Sequence, residues 1–363
     1  MQVRTPLLDR RSFTKMAGAA WAATLSPSSL FALERSDAVF ASGFMARDGS
    51  FGLATVAEDG TVIERVRLPA RSHGMAYCGA TGHAAAFARR PGTFALILDT
   101  RRREEPTVVH AGADRHFFGH GCFSPDGRLL YASENDFDAN RGVIGLYDAT
   151  DRYRRIGEFD GYGIGTHDMT ASDDGKTLVV ANGGIETHPD FGRTKLNLDH
   201  MEPSLALIEA ATGALVQRHA LPPKLCQLST RHVDIDSRGR VWFACQYAGR
   251  RDDLPPRAGH FSAGEDIHFL DLPAETTARL ANYVGAIAVN RAGGLVGLTS
   301  PKGGVAVTID AVSGRILHEE IIADAAGIAP SRHSFAVSSY DGRFDCVRAD
   351  LAWDQHIVRF GRL

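Results

Sequence analysis

Three histidines stand at one position in three successive copies of a single pattern. His73 opens HGMAYCGATGHAAAFA, His120 opens HGCFSPDGRLLYASEND and His167 opens HDMTASDDGKTLVVANGG, each 47 residues after the last. A repeat of ~40–50 residues that carries a hairpin in every copy predicts a β-propeller, one four-stranded blade per copy. Equal phase in the repeat means equal position in the blade, so these imidazoles are expected to converge on the propeller axis. Further histidines appear at the corresponding place in RHVDIDSRGRVWFACQ (His232) and in RHSFAVSSYDGRFDCVRA (His333). The copy beginning near Ala286, AIAVNRAGGLVGLTSPKGG, has no such histidine and interrupts the ring.

The rest of the chain agrees with an all-β fold. SPDGRLL, SDDGKTL, DSRGRVW and SYDGRFD set Asp-Gly or Arg-Gly pairs between apolar segments, the chemistry of tight hairpins. FALILDT, VIGLYDA, SLALIEA, DIHFLDL and VAVTIDA read as third strands of successive blades. Six starts, together with an N-terminal group (AVFASGFM, FGLATVAED, TVIERVRLP) that lacks a first strand, give seven blades, with six as the alternative. HIVRF or FDCVRA from the C-terminus must then complete the N-terminal blade, so that no sheet edge is left open. Blades pack only on their neighbours, and residues 33–363 therefore read as one domain.

Residues 1–32 read as an export signal. Arg10, Arg11, Phe13 and Lys15 in DRRSFTK precede a weakly apolar, Ala-rich run, the order of a twin-arginine leader for proteins exported already folded, which predicts a periplasmic location. No other stretch reaches the ~18 apolar residues of a membrane span. A net charge of −3 offers no basic face for nucleic acid. Cys78, Cys122, Cys226, Cys245 and Cys346 are odd in number and lack CxxC spacing, so they read as small apolar side chains.

Antiparallel pairing puts the residues after each second strand on the same edge as the phase histidines. From that edge leaves an insertion, Gly183 to Ser204, GGIETHPDFGRTKLNLDHMEPS. A loop of ~20 residues without periodicity is usually functional. It is expected to cover the channel mouth, offering His188, Arg193, Lys195 and Asn197 to a bound ligand. Arg193 and Lys195 beside a cation site favour an anionic small ligand over a bare cation.

The combination of the leader, RSHGMAY, GHGCFSPDGRLLYASEND, GIGTHDM, the insertion, STRHV, LTSPKGG and DAAGIAP resembles a family of exported propellers classed as a domain of unknown function. The resemblance implies the fold, the compartment and a setting among imelysin-like periplasmic iron-uptake proteins, which would be the partners; it implies no reaction.

Neutral imidazoles bind Fe, Cu, Zn and Ni, so His73, His120, His167, His232 and His333 are candidate metal ligands, with Fe or Cu foremost. Glu134, Asp136 and Asp168 are candidate carboxylates behind them, fixing tautomers, and Glu134 and Asp136 also candidate ligand contacts. The alternative for the histidines is a structural hydrogen-bonding role between blades. The other histidines, His356 among them, read as packed or solvated, and Arg89-Arg90 as a solvated edge. There is no GxSxG, HExxH, phosphate loop or dinucleotide fingerprint. A binding or accessory propeller in transition-metal handling is thus favoured; the alternative is an enzyme in the channel, a metal-dependent oxidoreductase or a lactonase-like hydrolase.

Overall fold

The computed structural model describes residues 38–101, 105–192 and 194–361, and the expected twin-arginine leader, residues 1–32, and Arg193 lie outside them. Seven four-stranded antiparallel sheets form a ring, a seven-bladed propeller. Numbered from the first complete blade, the innermost strands are Ser72–Tyr77, Arg115–Phe123, Thr166–Ala171, Leu228–Ile235, Ala286–Asn290 and Ala325–Pro330. The seventh blade takes its innermost strand, Leu351–Arg359, from the C-terminus and its other three, Phe40–Ala46, Phe51–Val56 and Val62–Leu68, from the N-terminus. HIVRF is therefore the segment that closes the ring. Phe40, Phe44 and Trp353 of this blade pack on Phe344 of blade six. Each such buried side chain contributes roughly 1.5–3 kcal/mol to holding the circle shut. Among the described residues no helix is long and apolar enough to cross a membrane.

The turns obey the chemistry read from their sequences. In SPDGR, Ser124 Oγ and the Arg128 N–H both donate to Asp126, at 2.6 and 3.0 Å. Ser172 and Lys176 treat Asp174 alike in SDDGK, and the N–H groups of Arg238 and Arg240 both reach Asp236.

Two readings need correction. DIHFLDL is not a third strand: Ala258–Phe261 takes that place in blade four, and only His268–Phe269 pairs outside it. His333, expected at the start of an innermost strand, sits exposed in the turn between Ala325–Pro330 and Phe335–Ser339. The cause is a hairpin one step out of register. SPDGR and SDDGK join first to second strands, but SYDGR joins the second strand of blade six to Arg343–Phe344, its third.

A candidate metal centre on the propeller axis

Six of the seven innermost strands break register with their neighbour near the channel: around Ser72/Met75, Phe117/Gly121, Thr166/Asp168, Thr230/His232, Ala325/Ile328 and opposite Ser42/Phe44. Blade five alone pairs without a break. A bulge swings side chains out of the alternating pattern. Here it carries histidines in blades seven, one, two, three and four. Blade six has the bulge but fills it with Ala326 and Gly327.

The five histidines are His73, His120, His167, His232 and His356. Their rings lie 4.8 Å (His73–His120), 4.8 Å (His120–His167), 5.0 Å (His167–His232), 4.9 Å (His232–His356) and 4.7 Å (His356–His73) apart, and His120 also lies 4.6 Å from His356. Two triads, His73/His120/His356 and His120/His167/His232, have ring nitrogens all within 4.8 Å of one another. His120 belongs to both. Such closeness requires the absence of side chains elsewhere. A Cβ at Gly74 would lie 2.6 Å from His120 Nδ1, and one at Gly119, where φ is +102°, would lie 2.9 Å from His73 Cδ2.

Polar groups behind the imidazoles set their tautomers. His167 Nδ1 donates to the Arg231 carbonyl at 3.1 Å, which leaves the Nε2 lone pair free. Asp168 is shared, its oxygens 3.4 Å from Nδ1 of His120 and 3.4 Å from Nδ1 of His232. Asp354 stands 3.8 Å from His73 Nδ1 and accepts from Arg71 Nε at 2.6 Å. Nε2 of His120 and of His356 is buried with no hydrogen-bond partner, as is Nδ1 of His73. Burial outweighs the neighbouring carboxylates and pulls the His73 imidazole down to about 3; it lowers His232 as well, and burial with neighbouring positive charge holds His167 and His356 well below the ordinary range. These four rings are neutral at pH 7 and carry lone pairs. Burial alone would raise Asp354, but His73 and Arg71 hold it at about 2, and His120 and His232 likewise lower Asp168.

The cluster separates two funnels. One, about 680 Å³, is walled by the strand ends Tyr77–Ala80, Phe123–Pro125 and Ala171–Asp173, with His120 and His356 at its floor and Asp168, Asp173 and Asp234 in its lining. The other, about 280 Å³, opens on the insertion side over His73, His167 and His232, between Arg89, Arg90, Lys195, Arg231 and Lys302.

Of the residues singled out from sequence, His73, His120, His167, His232 and Asp168 meet here, and His333 does not. Glu134 and Asp136 serve the blade instead. Glu134, fully buried, accepts from Tyr147 Oη and Arg155 at 2.5 and 2.9 Å, and Asp136 pairs with Arg115 and Arg141. In the insertion, Lys195 lines the smaller funnel. His188 packs on Phe137 and Phe191, and Asn197 braces the loop, accepting from the Glu186 N–H and donating to the Gly184 carbonyl. Sequence reasoning missed His356 and Asp354, because the closing strand lies outside the repeat's phase. It also took Arg89-Arg90 for a solvated edge, whereas both line the funnel. A usable signal was present: HIVRF had been placed as a candidate closing strand, and an innermost strand with a histidine joins the ring.

A family model described as "Protein of unknown function (DUF1513)" matches residues 66–360. The chain belongs to the DUF1513 family. No protein with a curated description matches it. Among solved structures, the DUF1513 chain is similar to hydrazine synthase of Kuenenia stuttgartiensis (15% identity, TM-score 0.62, covering 84% of this chain and 94% of that one). It also resembles the Cps50 (Swd1) β-propeller domain of Myceliophteria thermophila (11%, 0.55, 84% and 94%) and a chain of a nidogen/laminin complex (13%, 0.50, 77% and 92%). At these identities the likeness shows the fold alone.

Proposed function

We propose that this propeller is a binding protein for a first-row transition metal, held on the axis by the five-histidine cluster. The observation that carries the reading is the set of five imidazoles facing one another in the interior, two of them, His120 and His356, with a buried Nε2 that meets no donor or acceptor. A structural role between blades explains His167, which bonds a carbonyl of the next blade, but it gives no reason to bury Nε2 of both His120 and His356 without partners. Imidazoles backed by carboxylates suit Fe, Cu or Zn. The leader-like N-terminus and the iron-uptake setting implied by the sequence resemblance favour iron handled in the periplasm with partners of that system, and copper is the runner-up.

The test is elemental analysis of untagged protein purified from the exported fraction, and of apo-protein reloaded with Fe(II) or Cu(I). Stoichiometric metal is expected in the parent. Because His120 sits in both triads, His120→Ala should lower retained metal at least tenfold, and His333→Ala should leave it unchanged. Equal metal content in parent and His120→Ala refutes the reading.

A further inference from the structure

The smaller funnel has a composition the metal centre does not explain. Its wall carries five cationic side chains, Arg89, Arg90, Lys195, Arg231 and Lys302, and among the described residues it includes no Asp or Glu. They come from four separate sources. Arg89 and Arg90 follow the second strand of blade one, Arg231 lies in the bulge of blade four beside His232, and Lys302 follows the second strand of blade five. Lys195 is brought by the insertion. Apart from Phe118, the remaining lining is neutral and polar. Gln355 Nε2 donates to Tyr283 Oη at 2.9 Å, which leaves the phenol proton to donate elsewhere, and Lys302 Nζ stands 4.6 Å from the centre of the Tyr283 ring.

A cavity wall that presents this many cationic side chains carries a positive potential that attracts anions. Lys195 feels that potential: partial burial first, and then Arg231, Lys302 and Arg90, lower its ammonium. Guanidinium groups match the planar, two-oxygen face of carboxylates and the oxygens of phosphates, and lysines add point charge. A cavity of about 280 Å³ lies just below the roughly 300–1,000 Å³ of sites for drug-sized molecules, so its occupant is small.

We infer that this funnel binds a small polyanion carrying two or more carboxylate or phosphate groups, seated over His73, His167 and His232 and held by the basic wall. The site does not rest on the metal reading: the wall is complete whether or not the histidines hold an ion.

Calorimetric titrations of apo-protein in low-chloride buffer with citrate, pyrophosphate and, as a neutral control, glycerol test it. Citrate, pyrophosphate or both should bind, the stronger of them naming the anion class, while glycerol gives no heat. Lys195→Gln/Lys302→Gln alters two exposed side chains, and circular dichroism checks its fold. This variant should weaken anion binding at least tenfold, and His120→Ala should keep it. No binding of either anion at millimolar concentration overturns the proposal, as does equal affinity in the double variant. Binding that appears only with metal and vanishes in His120→Ala overturns it too, since the anion would then be a metal ligand and not a guest of the wall. Loss of metal in His120→Ala with anion binding intact supports both readings separately.

Discussion

At the level of single residues, the centre depends as much on what is missing as on the imidazoles. Gly74 and Gly119 let blades one and two approach closely enough for His73 and His120 to meet, so Gly74→Ala must push the Gly119 carbonyl, 2.4 Å from the new methyl, and the His120 ring with it. Metal affinity in Gly74→Ala is expected to fall tenfold or more while the fold survives, measurable by competition with a chromophoric chelator; unchanged affinity would mean that His120 is not a ligand. Acid is the second lever. In the apo-protein the folded state holds His73 near 3 and also lowers His167, His232 and His356 from an ordinary value of 6.5. The unfolded chain therefore binds more protons below pH 6.5, and stability must drop as pH falls from there toward 3, by up to about 1.4 kcal/mol per pH unit for each such ring. Asp354, lowered from 3.8 to about 2, adds a loss of the same sign below pH 4. Thermal unfolding of apo-protein between pH 7 and 4 checks this, and a midpoint that does not move would show that the rings are not buried as described.

Among elements, the insertion and the closing strand separate what the sequence made legible from what it hid. Four ring members were readable because a duplicated blade repeats its bulge, and the bulge repeats its side chain. His356 was not, because its strand follows a hairpin that had slipped one strand in the alignment of copies, and the same slip promoted His333. Glu134 misled for another reason: a carboxylate after a second strand points at the channel or at the neighbouring strand according to the pleat, and Tyr147 with Arg155 claims this one. Lys195 of the insertion lines the smaller funnel, but which side chains of that loop face inward depends on two short 3-10 turns, Pro189–Phe191 and Leu198–His200, that no periodicity announces. Replacing residues 186–200 by two glycines removes Lys195 and the Asn197 brace without touching a blade strand. Such a protein should keep its thermal midpoint within a few degrees and lose most polyanion affinity, and retained affinity would assign the site to the blade wall alone.

For the molecule as a whole, the decisive relation is that of the circle to its seam. Cutting the chain before Leu351 leaves blade seven without its innermost strand and exposes the edges it joined, so the truncated protein should associate or precipitate, as light scattering would show. The seam also brings His356 and Asp354 to the axis, on the strand Leu351–Arg359. A chain without that strand therefore lacks both its closure and one wall of its centre. The cluster is in that sense a receipt for a closed circle: only a chain wound fully round can present all five rings.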